Sequence, residues 1–529
     1  SHVHSIKEIA DVVILGGGLA GMSLALQLKN SNPNLAIIVL ERKKFPAPEA
    51  AHKVGESTVE IGSHYLSHTL GLKDMLEATQ LRKFGLRFFL GAGSHDSLSG
   101  ADELGASSFL PAVSYQLDRG RLENDLVRLL RDRGIDVIDG CMANNVVTED
   151  QRSVKEVHWH TEDQSGICRS DWVVDATGRA SLLKQSMKLQ ESSGHEMNSA
   201  WFRLDTELNV ENWSTNPKWH QRCNGIPRQL STNHLLGPGY WVWIIPLVGK
   251  RVSIGLVADP RSVPLDRFND FDRFRAWSEK NQPLLAEHLE INAGELMDFR
   301  FLRNFSYGCK QTYSHNGWAV TGEAGLFPDP FYSPGTDFIA ISNTLICGLI
   351  LDGRDDPMKA LRAAIYNKVY QSFFTSTMSL YRDQYAGFGD TRFMVLKATW
   401  DYAYYWSVLA WLFFREKLTE IEFLRRNEAQ LNSARQLNLE MQAIFRERAA
   451  LGIRSPGRGR FFDQLAIPIL LHLNTALLSK SSDDAQELSG NCDRLRRLAP
   501  LVKTLLDNDA PRDKGTESEL LGDLRSRFA

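Results

Sequence analysis

The residues best placed to do chemistry begin at position 16. Gly16-Gly17-Gly18-Leu19-Ala20-Gly21 fits GxGxxG, directly after the apolar run Asp11–Leu15 and ahead of a helical stretch from Met22 to Leu28. In that setting Gly16 permits a tight turn, Gly18 lets the backbone approach a pyrophosphate, and Gly21 brings helix close to strand. A second apolar run, Ala36–Leu40, ends in Glu41, twenty residues beyond Gly21. A carboxylate there accepts both ribose hydroxyls of an adenosine. Together these features predict a βαβ unit that binds a dinucleotide.

Other candidates are weaker alone. Ser57 in Gly55-Glu56-Ser57-Thr58 is no GxSxG elbow, and no histidine is placed to serve it. His158 and His160 alternate on a strand-like segment without a third ligand, so no metal site is expected. Lys83 sits in Lys-Phe-Gly-Leu-Arg-Phe, and a strand-edge lysine is ordinarily a solvated gatekeeper. Trp241 and Trp243 have strand spacing and project from one face, the usual arrangement of core residues. Phe327–Gly335 (FPDPFYSPG) reads in isolation as a proline-stiffened loop before a helix. There is no Walker A string and no second GxGxxG, so a resident NAD(P)H domain is not expected.

The elements that must position these residues alternate early and turn helical late. Asp118–Leu130 has helical leucine spacing behind a capping Asp, and Trp172–Asp175 reads as a buried strand. From about 197 to 305 the texture is that of an antiparallel sheet, with strands at Tyr240–Leu247 and Arg251–Val257. After Asn343 the chain reads as helical, notably over Thr419–Ala450. Ser455–Arg460 reads as a loop, and a loose polar tail is expected from about Asn508. At 529 residues, 43% of them hydrophobic, the chain is long enough for two or three domains. A net charge of −3 removes the electrostatic case for a nucleic-acid binder. Six scattered cysteines argue against a disulfide framework. The longest apolar run, Tyr402–Phe414, is short of the roughly 20 residues that cross a bilayer. With no leader pattern at the N-terminus, a soluble cytoplasmic protein is expected.

Three strings resemble FAD-binding monooxygenases of the hydroxybenzoate-hydroxylase fold, in that family's order: Gln116–Arg119 (QLDR), Asp175–Arg179 (DATGR) and Gly322–Gly325 (GEAG). Four more resemble the flavin-dependent halogenases, of the phenol or carrier type rather than the free-tryptophan type. They are the Gly55–Thr58 strap, Lys83 with its following Arg-Phe pair, Trp241–Pro246 (WVWIIP), and Phe327, Pro330, Ser333 and Gly335 of FxxPxxSxG. The resemblance implies an α/β fold: an FAD-binding Rossmann-like ββα-type domain with an antiparallel substrate-side sheet and a C-terminal helical region. The expected division is 1–345, with the sheet inserted at about 195–320, and 346–529.

It also implies roles. Gly16, Gly18, Ala20, Gly21, Glu41, Arg42, Gln116, Arg119, Glu323 and Thr336 would contact FAD. Ser333 and Gly335 would hold chloride or bromide, and Trp241, Trp243 and Tyr332 would wall off substrate from flavin. Reduced flavin from a separate reductase, O₂ and halide would give hypohalous acid. Lys83 would hydrogen-bond that acid or become a haloamine, which requires a neutral amine; burial, helped by Arg87 on the same strand face, would favour one. Two departures matter: Pro334 follows the motif serine and offers no N–H to a halide, and Tyr332 stands where tryptophan-directed members carry an acid. The implied substrate is a phenol, a pyrrole or a carrier-tethered aromatic, in secondary metabolism. The alternative is a flavoprotein hydroxylase, dehydrogenase or reductase on the same scaffold; a third is a flavin-binding interaction protein. The aromatic stretch Tyr402–Phe414 is open to three roles: core, substrate-pocket wall, or docking face for a carrier or membrane.

Overall fold

The computed structural model describes residues 6–49, 53–148, 154–352, 355–507 and 514–528. Strand β1 (Ile9–Leu15) leads through the glycine turn into helix α1 (Leu19–Ser31) and returns as β2 (Ile37–Leu40). The strands are β-branched and buried on both faces, as a parallel sheet covered by helices requires. Four strand ends lie level. Leu15 pairs with Leu40 of β2 and with Asp175 of the strand Ser165–Asp175, and Asp175 pairs with Val320 of Trp318–Val320, all in parallel. Each of those ends is followed by a motif: Gly16–Gly18, Glu41, Thr177–Arg179 and Thr321–Glu323. Parallel register therefore gathers four distant strings at one edge, where open α/β sheets bind ligands.

A second, mostly antiparallel sheet of eight strands faces this one. In it β3 (Leu86–Leu90) pairs in parallel with β4 (Thr232–Gly237), which forms a hairpin with β5 (Tyr240–Leu247), itself paired with β6 (Arg251–Ala258). Alternation on β5 splits its residues. Trp241, Trp243 and Ile245 join the core shared with the first sheet, while Tyr240, Val242 and Ile244 join a second core behind it. The sheet extends beyond the expected 195–320: Leu86–Leu90 and Asp102–Gly105 belong to it, and Phe461–Asp463 pairs with the latter.

The helical region begins with α2 (Gly335–Leu351), which runs uninterrupted across position 345, where a boundary was expected. It continues through α3 (Lys359–Met378), α4 (Thr391–Tyr404), a π-helical turn (Tyr405–Leu409) and α5 (Glu428–Ala449). These helices share one buried core with the first sheet, so the two regions pack as one body. The tail expected from Asn508 lies partly outside the described residues. Beyond them Lys514–Leu520 and Leu524–Arg527 are helical, because Leu520, Leu521 and Leu524 are buried and Phe528 packs on Phe462. All six cysteines are free and buried. Among the described residues no helix is long and apolar enough to cross a membrane, and no cluster of His, Cys, Asp or Glu could hold a metal ion.

Candidate active site

A cleft of about 780 Å³ opens between the two sheets, along the level strand ends. The glycines divide the work as spacing suggests. A Cβ on Gly16 (φ +107°) would lie 2.2 Å from the Ala176 carbonyl oxygen, and one on Gly21 2.1 Å from the Gly16 oxygen, so both serve close backbone packing. Gly18 differs: the nearest atom to its Cβ position is a Glu123 oxygen at 3.7 Å, which leaves its backbone open to the cleft. Glu41 accepts from the Gly17 N–H at 3.0 Å and the Lys43 N–H at 2.8 Å, which fixes its carboxylate across the glycine loop. Ala20, Arg42, Arg119 and Glu323 line the same cleft. Arg119 donates to the Val54 carbonyl at 3.1 Å, and Glu323 sits 3.7 Å from Arg179. An open glycine cradle with the Glu41 carboxylate beside it on one large cleft suits the diphosphate and adenosine of FAD.

Three expected contacts are placed elsewhere. Gln116 is wholly buried behind the wall and donates to Thr232, a lining residue, at 3.0 Å. Gly21 lies inside α1. Thr336 is buried against Gly62, its hydroxyl oxygen without a hydrogen-bond partner. The Gly55–Thr58 strap is pinned from within: Ser57 bonds Thr232 at 2.6 Å, and Glu56 accepts from Ser253 at 2.6 Å beside Arg203 at 3.3 Å. Burial pushes the Glu56 carboxyl above its ordinary range, with the Arg203 guanidinium opposing.

At the cleft's far end stand both indoles. Trp243 donates to Ser253 at 3.2 Å. Trp241 donates to the Tyr385 hydroxyl at 3.1 Å, which donates in turn to Asp329; His195 bonds the same carboxylate oxygen at 2.6 Å. The motif loop is therefore tied to the wall it faces. Two consecutive residues of that loop, Tyr332 (φ 70°) and Ser333 (φ 56°), are left-handed, and this turn aims Pro334 at the start of α2. Ser333 and Gly335 line the cleft, and no atom lies within 4 Å of a Gly335 Cβ position. Tyr332 points the other way, into a second cavity.

That cavity, of about 80 Å³, contains Lys83. Pro334 and Phe338 line both spaces and separate them. Lys83 lies in the connection after the two-residue strand Leu81–Arg82, its own N–H bonded to the Ser114 carbonyl at 2.9 Å. Its ammonium group donates to the Thr58 carbonyl at 2.5 Å and is buried. Burial lowers its pKa to about 7, against the pull of the Glu60 and Asp337 carboxylates. Both acids line the cavity, and burial raises both, Asp337 to about 8. Desolvation thus drives base and acids towards their neutral forms. Arg87 has no part in this. Gly85 (φ +63°) turns the chain before β3, and Arg87 is wholly buried elsewhere, paired with Glu103 at 2.8 Å.

The family profile described as tryptophan halogenase matches residues 11–97 and 101–387. The chain belongs to that family. A flavin-dependent halogenase of Dictyostelium discoideum, chlA, is 30% identical over 362 residues, which are 63% of this chain and 58% of that protein. The chain thus spans under two thirds of that relative's length. A brominase of 1H-pyrrole-2-carbonyl-peptidyl-carrier protein from Pseudoalteromonas luteoviolacea is 24% identical, covering 62% of this chain and 74% of its own. Among solved structures the halogenase PltM superposes with a TM-score of 0.65 at 17% identity, covering 99% of both chains; that likeness concerns the fold.

Three residues around Lys83 were not singled out by sequence reasoning: Glu60, Asp337 and Gln464. Asp337 was findable, as the one acid in the apolar start of α2, where only a satisfied carboxyl survives burial. It accepts from the Gly62 N–H at 2.7 Å and the Tyr405 hydroxyl at 2.6 Å. The aromatic stretch beginning at Tyr402 serves both as core and as cavity wall: Tyr402, Tyr404, Tyr405 and Trp406 line the Lys83 cavity.

Proposed function

We propose that this protein halogenates an electron-rich aromatic substrate, with reduced FAD, O₂ and chloride or bromide as co-reactants and Lys83 as the residue that delivers halogen. Bound in the cleft, reduced FAD supplies the activation of O₂ that turns halide into hypohalous acid. The observation that carries the reading is Lys83 itself: a buried amine, near neutrality at physiological pH, in a cavity that shares only Pro334 and Phe338 with the cleft. A neutral amine takes halogen from hypohalous acid and releases water. The haloamine then passes halogen to a ring carbon, which loses its proton as the amine is restored. A protonated lysine has no lone pair for this.

Around that step the chain has separate duties. Gly18 and Glu41 hold the cofactor's diphosphate and ribose. The Trp241–Tyr385–Asp329 chain keeps the indole wall in place, so that the organic substrate stays on the lysine side. For halide, Pro334 has no N–H, but the amides of Gly335 and Thr336 begin α2 with no carbonyl one turn behind them. The reading takes reduced FAD from a separate reductase. Its test is direct: photoreduced FAD, O₂, bromide and a panel of phenols and pyrroles, with product followed by mass. Halide-dependent brominated product is expected. A hydroxylated product, or none with any halide, would overturn the reading.

A further inference from the structure

The motif turn ahead of α2 is strained, and a buried charge pair stands behind it. Among the described residues, Tyr332 (φ 70°) and Ser333 (φ 56°) are the only adjacent left-handed pair without a glycine, and Tyr332 is the only left-handed aromatic. That conformation crowds a Cβ and relaxes unless its surroundings hold it. The residue before is held through its backbone: the Phe331 N–H donates to Asp329 at 2.8 Å, and the Phe331 carbonyl accepts from the Tyr381 hydroxyl at 2.7 Å. Tyr332 is held at the far end of its side chain, where the hydroxyl donates to Asp401 at 2.7 Å. Asp401 lies on α4, one turn after Lys397, and the two pair at 3.0 Å with both side chains buried. Gln442 of α5 joins them, its amide nitrogen donating to Asp401 at 2.7 Å and its oxygen accepting from Lys397 at 3.1 Å. An ion pair this deep adds little stability over apolar side chains of the same volume, so stability alone does not account for it. The partner that the carboxylate takes from outside the helical region is Tyr332.

We propose that Asp401, its charge balanced by Lys397, is a positioning residue for the halide turn. Through the Tyr332 hydroxyl it holds residues 332 and 333 left-handed. In that form Ser333 and Gly335 face the cleft while the Tyr332 ring walls the Lys83 cavity. Without that bond the turn relaxes, and halide binds only the fraction of molecules still in the held form. The inference rests on the halogenase reading, in which this turn holds halide, but its test needs no turnover and separates the two.

Tyr332→Phe deletes the hydroxyl and leaves Asp401 with Lys397 and Gln442. Lys397→Met combined with Asp401→Leu removes both charges and strands neither. Full-length protein loaded with oxidised FAD is titrated with iodide, whose saturable quenching of flavin fluorescence reports binding in the shared cleft. Each variant should weaken iodide about tenfold, the scale of one hydrogen bond to a carboxylate. FAD affinity should stay within about twofold, as for a change outside its site. All three substitutions together should lose no more than either variant, because both act through one bond. Crystals of each variant should show residue 332 at negative φ. A residue 332 still left-handed would overturn the proposal, and so would losses that add to about a hundredfold in the combination, as independent loosening of the helices would give. A relaxed turn with unchanged iodide affinity, or no saturable quenching in the wild type, would refute halide binding at this turn and leave the relaxed φ to support Asp401 as its anchor.

Discussion

Replacing Lys83 tests the proposed chemistry most sharply, because burial sets how much reactive amine exists. A lysine with its ordinary pKa of 10.5 is about 0.03% neutral at pH 7. Held at about 7, Lys83 is half neutral, a gain on the order of 10³-fold in nucleophile. Lys83→Ala removes that amine, and Lys83→Arg leaves a cation that forms no haloamine. In single turnovers with photoreduced FAD and bromide, both variants should reoxidise flavin at the wild-type rate and release hypohalous acid to a β-diketone trap. Halogenated aromatic product should fall on the order of 10³-fold. Wild-type product formation should climb as pH rises towards 7 and then level. Full product from Lys83→Ala, or a rate indifferent to pH from 5 to 8, would refute the lysine mechanism and leave the cofactor site untouched.

The same lysine carries a thermodynamic signature of opposite sense to a salt bridge. Between about pH 7 and 10.5 the unfolded chain binds a proton that the folded one does not, so this group makes stability rise with pH across that window. Below it both states are protonated, and the full cost of burying the charge is present. A fall from 10.5 to about 7, with the pull of Glu60 and Asp337 included, corresponds to about 5 kcal/mol. Lys83→Met should therefore be more stable than wild type at pH 6 to 7, with the gap closing as pH approaches 10, as urea titrations would report. A variant less stable than wild type at pH 6 would show that the charge is well solvated in place.

Asp337, raised by burial to about 8, acts the other way: its contribution is whole below pH 4 and is lost as pH rises through 8. Asp337→Asn should flatten that decline by more than about 1.4 kcal/mol, the worth of one pKa unit, in melts from pH 5 to 8. Tyr385→Phe leaves the Trp241 N–H without its partner and the Asp329 oxygen with His195 alone, costing about 1–3 kcal/mol in chemical denaturation. Gly18→Trp fills the open cradle and Glu41→Lys removes the ribose acceptor; both should weaken FAD binding more than about tenfold in a fluorescence titration.

What could be read beforehand followed from local rules. The turn of Gly16–Gly21, the reach of Glu41 and the shared face of Trp241 and Trp243 depend on neighbours a few residues away and on the period of a strand. Counting failed where a single φ intervenes. Lys83 and Arg87 look like i and i+4 on one strand, but left-handed Gly85 separates them, and Arg87 answers to Glu103. The expected loose tail failed for a different reason: its few leucines suffice to bury two short helices that composition alone calls polar. The Lys83 cavity was beyond such reading, since Val59 and Gln464 meet across it from opposite ends of the chain.

That long-range closure explains why the C-terminal helices belong to the chemistry. Lys83 lies in the connection between Leu81–Arg82 and the second sheet, where a lysine left to itself would be hydrated and charged. Tyr402, Tyr405, Trp406 and Leu409, all from α4 and the turn after it, cover the cavity and exclude water. The Tyr405 hydroxyl also clamps Asp337 and accepts from the Ile61 N–H at 3.0 Å, tying that cover to the start of α2 and to the short helix Glu60–His64 that follows the strap. Desolvation is the first cause of the lysine's depressed pKa. The helices that line the Lys83 cavity are therefore the same ones whose packing lowers the lysine's pKa.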